Sequence, residues 1–262
     1  ATAREVEKIV RANGATPATI AILKGNIHVG LDNDQMELLG NSKDVWKVSL
    51  RDMPYVVSQK LNGATTVAAT MRIASLAGIK IFVTGGIGGV HRGAETTMDI
   101  SADLTEMAQT NVAVVSAGVK SILDIGLTLE YLETLGVPVV TFGSPDFPSF
   151  YSRKSGFATP LQLDTPKDIA ALLETKWSMG LNGSVMIANP IPADKEYPFE
   201  KMEVHINAAL KSAKEKGIVG KETTPFILKY IADATGGESL ESNISLVFNN
   251  AKLGAMIAVE LN

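Results

Sequence analysis

The stretch "NVAVVSAGVKSILDIGLTLEYLETLGVPVVTFG", residues 111–143, decides the fold. Residues 111–118 form an apolar run of strand length, read as a buried strand. "KSILDIGLTLEYLETLG" then carries helical spacing, and "VPVVTFG" (137–143) is a second buried strand. Strand, helix and strand in that rhythm make a βαβ unit with a right-handed crossover.

Upstream, "IKIFVTGG" (79–86) reads as another buried strand, and "GATTVAATMRIASLAG" (63–78) as a close-packed, Ala-rich helix. "DISADLTEMAQT" predicts a short helix with Ser101 as its N-cap. "ATIAILKGNIHVGL" (18–31) predicts a hairpin turning at Gly25-Asn26. In "ATAREVEKIVRANGA", Thr2 and Glu5 suggest a capping box; Val6, Ile9 and Val10 make a stripe, and Gly14 stops the helix. Opening on a helix cap without Met raises the expectation of an upstream segment.

Downstream, "PDFPSFYSRKSG" is an aromatic loop and "GSVMIANP" (183–190) a strand. "PIPADKEYPFE" is a proline-rich loop, and helices fill most of 200–258. The expected fold is α/β: one three-layer α/β/α catalytic domain over residues 1–262, with a mostly parallel or mixed central sheet and a helix-rich C-terminal third. Ligands bind such sheets beyond the carboxyl ends of the strands. That rim would hold the glycine loop "TGGIGGVHRG" (84–93), "SAGVKS" and "TFGSPDF".

Composition narrows the function. The chain has 262 residues, 45% hydrophobic and 20% charged, with formal charge -4. It lacks the concentrated basic face of a nucleic-acid or anionic-membrane binder, so neither partner is expected. No run approaches the ~20 apolar residues of a membrane span. Cysteine is absent, which excludes disulfides and thiolate metal sites and points to a cytoplasmic or other reducing compartment.

Four places carry candidate chemistry. The glycine loop is either an anion nest, with His91 and Arg92 adding donors, or a tight turn. It matches neither the P-loop nor the dinucleotide fingerprint. Lys120 follows a buried strand at an expected helix start, where the dipole disfavours a cation. Burial would lower its pKa, and a neutral amine can form a Schiff base. Asp99 and Asp103, four apart, either cap a helix or hold a hard cation. Lys47 is an exposed strand residue or a substrate clamp, and Asn243 lies near the buried stripe of a helix. His28, His91 and His205 show no zinc spacing.

"NGATTVAATM", "VTGGIGGVHRGAETTMDISADL", "SAGVKSILDIGLTLEYLETLGVPVVTF" and "GGESLESNISLVFNNAKLGA" resemble the pseudouridine-5'-phosphate glycosidase family, which is indigoidine-synthase-A-like. The resemblance runs over essentially the whole chain. It implies reversible cleavage of the C–C glycosidic bond of pseudouridine 5'-phosphate to uracil and ribose 5-phosphate. It implies Lys120 as the nucleophile, through a sugar imine. Asp99 would hold a divalent metal, typically Mn2+, with several waters. Lys47, Val67, Ser101, Ala102, Asp103 and Asn243 would bind substrate. A homotrimer is implied, and the loop glycines would clear space beside a sugar phosphate and the metal's waters. The family's proton-donating glutamate lies ahead of the first helix. No residue here matches it, and the motifs assign neither Glu95 nor Asp146 in its place. The alternative is a sugar-phosphate or nucleotide-binding protein of the same fold without turnover. An aldolase would need eight strand–helix units, which the helical last third does not offer.

Overall fold

The computed structural model describes residues 2–218 and 223–261. The chain opens with α1 (Thr2–Ala12) and the hairpin β1 (Ile20–Leu23) and β2 (Asn26–Val29). These are followed by α2 (Asn33–Asn41), β3 (Val45–Val48), α3 (Met53–Ser58), β4 (Asn62–Thr65) and α4 (Val67–Leu76). β5 (Ile81–Val83) enters the glycine loop, which ends in β6 (Val90–His91), α5 (Ala94–Thr97) and α6 (Ala102–Met107). Next come β7 (Ala113–Ser116), β8 (Leu123–Asp124), α7 (Ile125–Thr134), β9 (Val139–Phe142), β10 (Leu161–Leu163), α8 (Pro166–Ser178) and β11 (Met186–Ala188). Helices α9 (Phe199–Glu215), α10 (Thr223–Ala234) and α11 (Glu238–Glu260) complete it.

The central sheet has five strands in the order β10-β9-β11-β7-β5. All four of its pairings are parallel. Its residues alternate between two apolar layers, as the strand period of two requires. Val114, Met186 and Ala188 face a cluster with Met71, Leu104, Met107, Leu132 and Ile206, from α4, α6, α7 and α9. Ala113, Val115, Val140 and Ile187 face Ile169 and Leu173 of α8 and Leu253 and Ile257 of α11. Helices thus cover both faces, the three layers expected. At Gly254, α11 lies so close to β5 that an added Cβ would collide with the Val83 side chain.

The βαβ stretch folds as strand, helix and strand, but β7 and β9 are not neighbours. β11, more than forty residues downstream of β9, sits between them and pairs with both. A second, four-stranded sheet of order β2-β1-β4-β3 lies apart and is mixed. It corrects the reading of 63–78 as one helix: 62–65 is strand β4, and α4 starts only at Val67. The hairpin turn is also one residue earlier than expected. Lys24 (φ 49) and Gly25 (φ 75) take the left-handed positions, and Asn26 already pairs with Leu23. Positive φ at both loop residues is the geometry whose twist suits a two-residue hairpin. The Asn62 side chain accepts the Lys24 N–H at 2.8 Å, while a Cβ at Gly25 would lie 2.6 Å from the Val57 carbonyl oxygen. Thr2 is already helical in α1, and Glu5 pairs with Lys8 at 3.1 Å. Gly14, at φ 86, follows the helix end as read.

Candidate active site

The parallel ladder between β5 and β7 does not stop at the strand ends. Thr84 donates its N–H to Val115 O (3.0 Å), Ala117 to Gly85 O (2.9 Å), Ile87 to Gly118 O (3.1 Å) and Lys120 to Ile87 O (3.1 Å). The glycine loop and the Lys120 loop are therefore an extension of the sheet beyond its carboxyl edge. Such a pair can approach this closely only where side chains are missing. A Cβ at Gly86 would lie 2.6 Å from the Phe150 ring, and one at Gly89 would meet Val119 at 2.9 Å and the Thr128 hydroxyl closer still. Neither glycine, nor Gly85 or Gly88, has positive φ. The glycines at 86 and 89 therefore make room for protein side chains, which corrects the expectation that they clear space for a sugar phosphate. Gly88 does reach a cleft wall, but its N–H is already bonded to Asp103 Oδ2 at 2.8 Å.

That cleft, of about 990 Å³, opens at the carboxyl rim. Lys47, Val67, Asp99, Ser101, Ala102, Asp103 and Lys120 all line it. They come from β3, the start of α4, the segment before α6, the first turn of α6 and the β7–β8 loop. Asn243 does not line it: it stands on α11 beside Gly85.

Asp103 is the structural pivot. It is buried, and its Oδ1 accepts the Ala68 N–H at 2.9 Å while Oδ2 accepts that of Gly88. One carboxylate thus caps α4, holds the glycine loop and belongs to α6, whose own N-cap is Ser101 as predicted. Because Asp103 takes the second N–H of α4, the N-cap Thr66 makes no side-chain cap. The hydroxyls of Thr66 and Ser121 are the buried side-chain polar atoms without a partner among the described residues. Neither was singled out in the sequence; for Thr66, nothing local marks a hydroxyl whose usual acceptor duty is done by a residue 37 positions away.

Lys120 is not at a helix start. α7 begins at Ile125, with the Asp124 side chain accepting the Leu127 N–H as its cap, so the dipole argument does not apply. Burial pushes the Lys120 amine below the ordinary lysine value; the Asp103 carboxylate opposes that shift, and the Lys47 ammonium adds to it. No described residue hydrogen-bonds its Nζ, so the amine is free to react.

Asp99 is half-exposed on the cleft, and the His91 imidazole lies beside it, with Nδ1 3.7 Å from Oδ2. No cluster of three or more His, Cys, Asp or Glu residues among the described ones could hold a metal. A carboxylate that accepts no hydrogen bond from a described residue, on an open polar wall, does fit a hydrated hard cation. Arg92, a donor under the anion-nest alternative, points its guanidinium at Glu203 of α9 (2.8 Å) and at Ser121 O (3.2 Å). Glu95 and Asp146 lie off the cleft.

A parallel-sheet α/β protein with a small-molecule cleft and a desolvated lysine at its carboxyl rim is the class these features define. The chain belongs to the indigoidine synthase A like protein family, whose model matches residues 1–260. It is 59% identical over 258 residues to a pseudouridine-5'-phosphate glycosidase of Deinococcus radiodurans, covering 98% of this chain and 82% of that one. The corresponding protein of Clostridium botulinum is 57% identical over 262 residues, with 100% and 85% covered. Among solved structures, a prealnumycin C-glycosynthase in complex with ribulose 5-phosphate superposes with TM-score 0.93 at 38% identity, over 99% of this chain and 86% of that one. An indigoidine synthase A-like protein of Thermotoga maritima gives 0.91 at 38% identity, with 99% and 86% covered. No helix among the described residues is long and apolar enough to cross a membrane.

Proposed function

We propose that this chain cleaves the C–C glycosidic bond of pseudouridine 5'-phosphate reversibly, giving uracil and ribose 5-phosphate, with Lys120 as the covalent nucleophile. The activity is supported by relatives of that name at 54–59% identity. The chemistry is carried by one observation: a lysine amine in the cleft whose pKa burial lowers and whose Nζ no described residue engages.

A C-glycoside has no leaving oxygen or nitrogen to protonate, so two carboxylates of the usual glycosidase kind do not suffice. A neutral amine supplies another route. Its lone pair forms a bond to the anomeric carbon as the bond from that carbon to the ring oxygen breaks, the oxygen taking a proton and the amine losing one. The C–C bond then parts: a proton is added at C5 of uracil, and the nitrogen lone pair forms the carbon–nitrogen double bond. Water adds to that imine and releases ribose 5-phosphate and the free amine. Burial lowers the amine's pKa and so favours the neutral form, which this attack requires.

Around the amine, Asp103 fixes the start of α4 and the glycine loop, so the cleft is preorganised. Lys47, with the Val67 backbone and the Ser101–Asp103 turn, forms the walls against which the sugar phosphate is oriented. Asn243, off the cleft beside Gly85, would act on substrate only across the glycine loop. Asp99 would hold a divalent cation such as Mn2+ with waters, and that cation would supply positive charge to the substrate's anionic oxygens.

The assembly is a homotrimer in this reading. Ile27 and Trp46, on the two edge strands of the small sheet and each over 40% exposed, are apolar side chains there that association would cover; Ile22 between them is already buried. A reducing cytoplasm suits a cysteine-free chain. The direct assay is release of uracil from pseudouridine 5'-phosphate. Tight binding of ribose 5-phosphate without any uracil would instead make the chain a binding protein.

A further inference from the structure

The histidine–arginine pair of "TGGIGGVHRG" has no part in the chemistry above, yet Arg92 is the most heavily engaged cation on the cleft. Its Nη2 donates to Glu203 Oε1 (2.8 Å) and to Ser121 O (3.2 Å), and its Nη1 to Glu203 Oε2 (3.2 Å) and Asn207 Oδ1 (3.4 Å). The two oxygens of Glu203 accept from both arms of the guanidinium, the fork geometry that fixes orientation. Glu203, Asn207 and Leu210 lie at i, i+4 and i+7 on α9, so they share one helix face. Leu210 of that face lines the cleft, whereas Glu203 does not.

Ser121 directly follows Lys120. Its carbonyl is held by Arg92 on one side, while the Lys120 N–H is held by Ile87 O on the other. Arg92 thus ties three separate segments together: the end of the glycine loop, the Lys120 loop and the α9 wall.

We propose that Arg92 and Glu203 form a clasp that positions the Lys120 loop against α9 for the reaction, rather than a receptor for substrate phosphate. Arg92 is a positioning residue, and Glu203 acts only through it. Four of the five guanidinium N–H donors that a phosphate would use are already committed to protein acceptors.

The proposal rests on the glycosidase reading, and its test separates the two. Wild-type turnover of pseudouridine 5'-phosphate checks that reading. The clasp is checked with R92A, E203A and the double variant, measuring kcat, KM and melting temperature. The expected result is a kcat loss of about tenfold in each single variant, with KM within about twofold. The double variant should be no worse than R92A, as two members of one interaction behave. Melting temperature should move by no more than about 2–4 °C, because an ion pair whose side chains are still 32% and 27% exposed is partly screened by solvent. A phosphate receptor behaves differently: E203A would keep wild-type kcat or bind more tightly, while R92A would raise KM. That result, or wild-type kcat in both single variants, overturns the proposal. Should the wild type show no turnover, amide exchange decides it. The Lys120 N–H should exchange about tenfold faster in E203A if the clasp holds the loop, and an unchanged rate contradicts it.

Discussion

Lys120 is where a single side chain's environment becomes chemistry. Its amine sits below the ordinary lysine value, first because burial penalises the ammonium form. Two consequences follow from the sign of that shift. The reactive species is the neutral amine, so the acid limb of kcat/KM should fall below the ordinary lysine range, and Lys120→Met should abolish turnover. For stability, the unfolded chain holds the lysine proton up to about pH 10.4 while the folded chain releases it earlier. Folding stability contributed by this group therefore rises with pH between the lowered value and that of free lysine. Urea titrations at several pH values should show this slope in the wild type and its loss in K120M. At Asp99, the proposed metal ligand, Asp99→Asn or a chelator should cut turnover by at least tenfold, and added Mn2+ should restore only the chelated wild type. Equal activity in chelator and in Mn2+ would remove the metal from the account.

Among the elements, close approach sets the tolerances. Gly254→Val places methyl groups of α11 against Val83 of β5, and overpacking of this kind costs about 1–3 kcal/mol. Denaturant unfolding measures it; a cost near zero would mean that the helix can back away from the sheet. The buried strands β7, β9 and β11 were legible because both faces of each are covered, which writes a continuous apolar run into the sequence. β4 was not: "NGAT" has no β-branched run, and its small residues read on smoothly into the Ala-rich helix. β10 is largely exposed and three residues long, too short for any period to register. The turn at Lys24-Gly25 was misplaced by one residue because a lysine at positive φ is held there by Asn62, a contact 38 residues distant.

For the molecule as a whole, strand order lies beyond local pattern. The insertion of β11 between β7 and β9 depends on pairings across more than 45 residues, and nothing in either segment announces it. The cleft was legible in a different way. Lys120, Asp99, Asp103 and Lys47 were marked by their own chemistry and again by motif resemblance, Val67, Ser101 and Ala102 as substrate-binding residues by resemblance alone, and the fold brings these seven to one cleft. Asn243, marked by the same resemblance, stands behind the glycine loop. The Arg92–Glu203 clasp spans 111 positions and leaves no trace in spacing. Sedimentation of the purified protein should give a mass near three chains of 27.8 kDa, and Trp46→Glu should shift it toward one; a wild-type monomer would contradict the trimer.

The central claim is a covalent bond between Lys120 and the sugar. Incubation with ribose 5-phosphate, borohydride reduction and peptide mass mapping tests it most directly. The account predicts a reduced pentose-phosphate adduct on the peptide containing Lys120, absent in K120M. Uracil release from pseudouridine 5'-phosphate with no adduct on Lys120, or undiminished release by K120M, would contradict it.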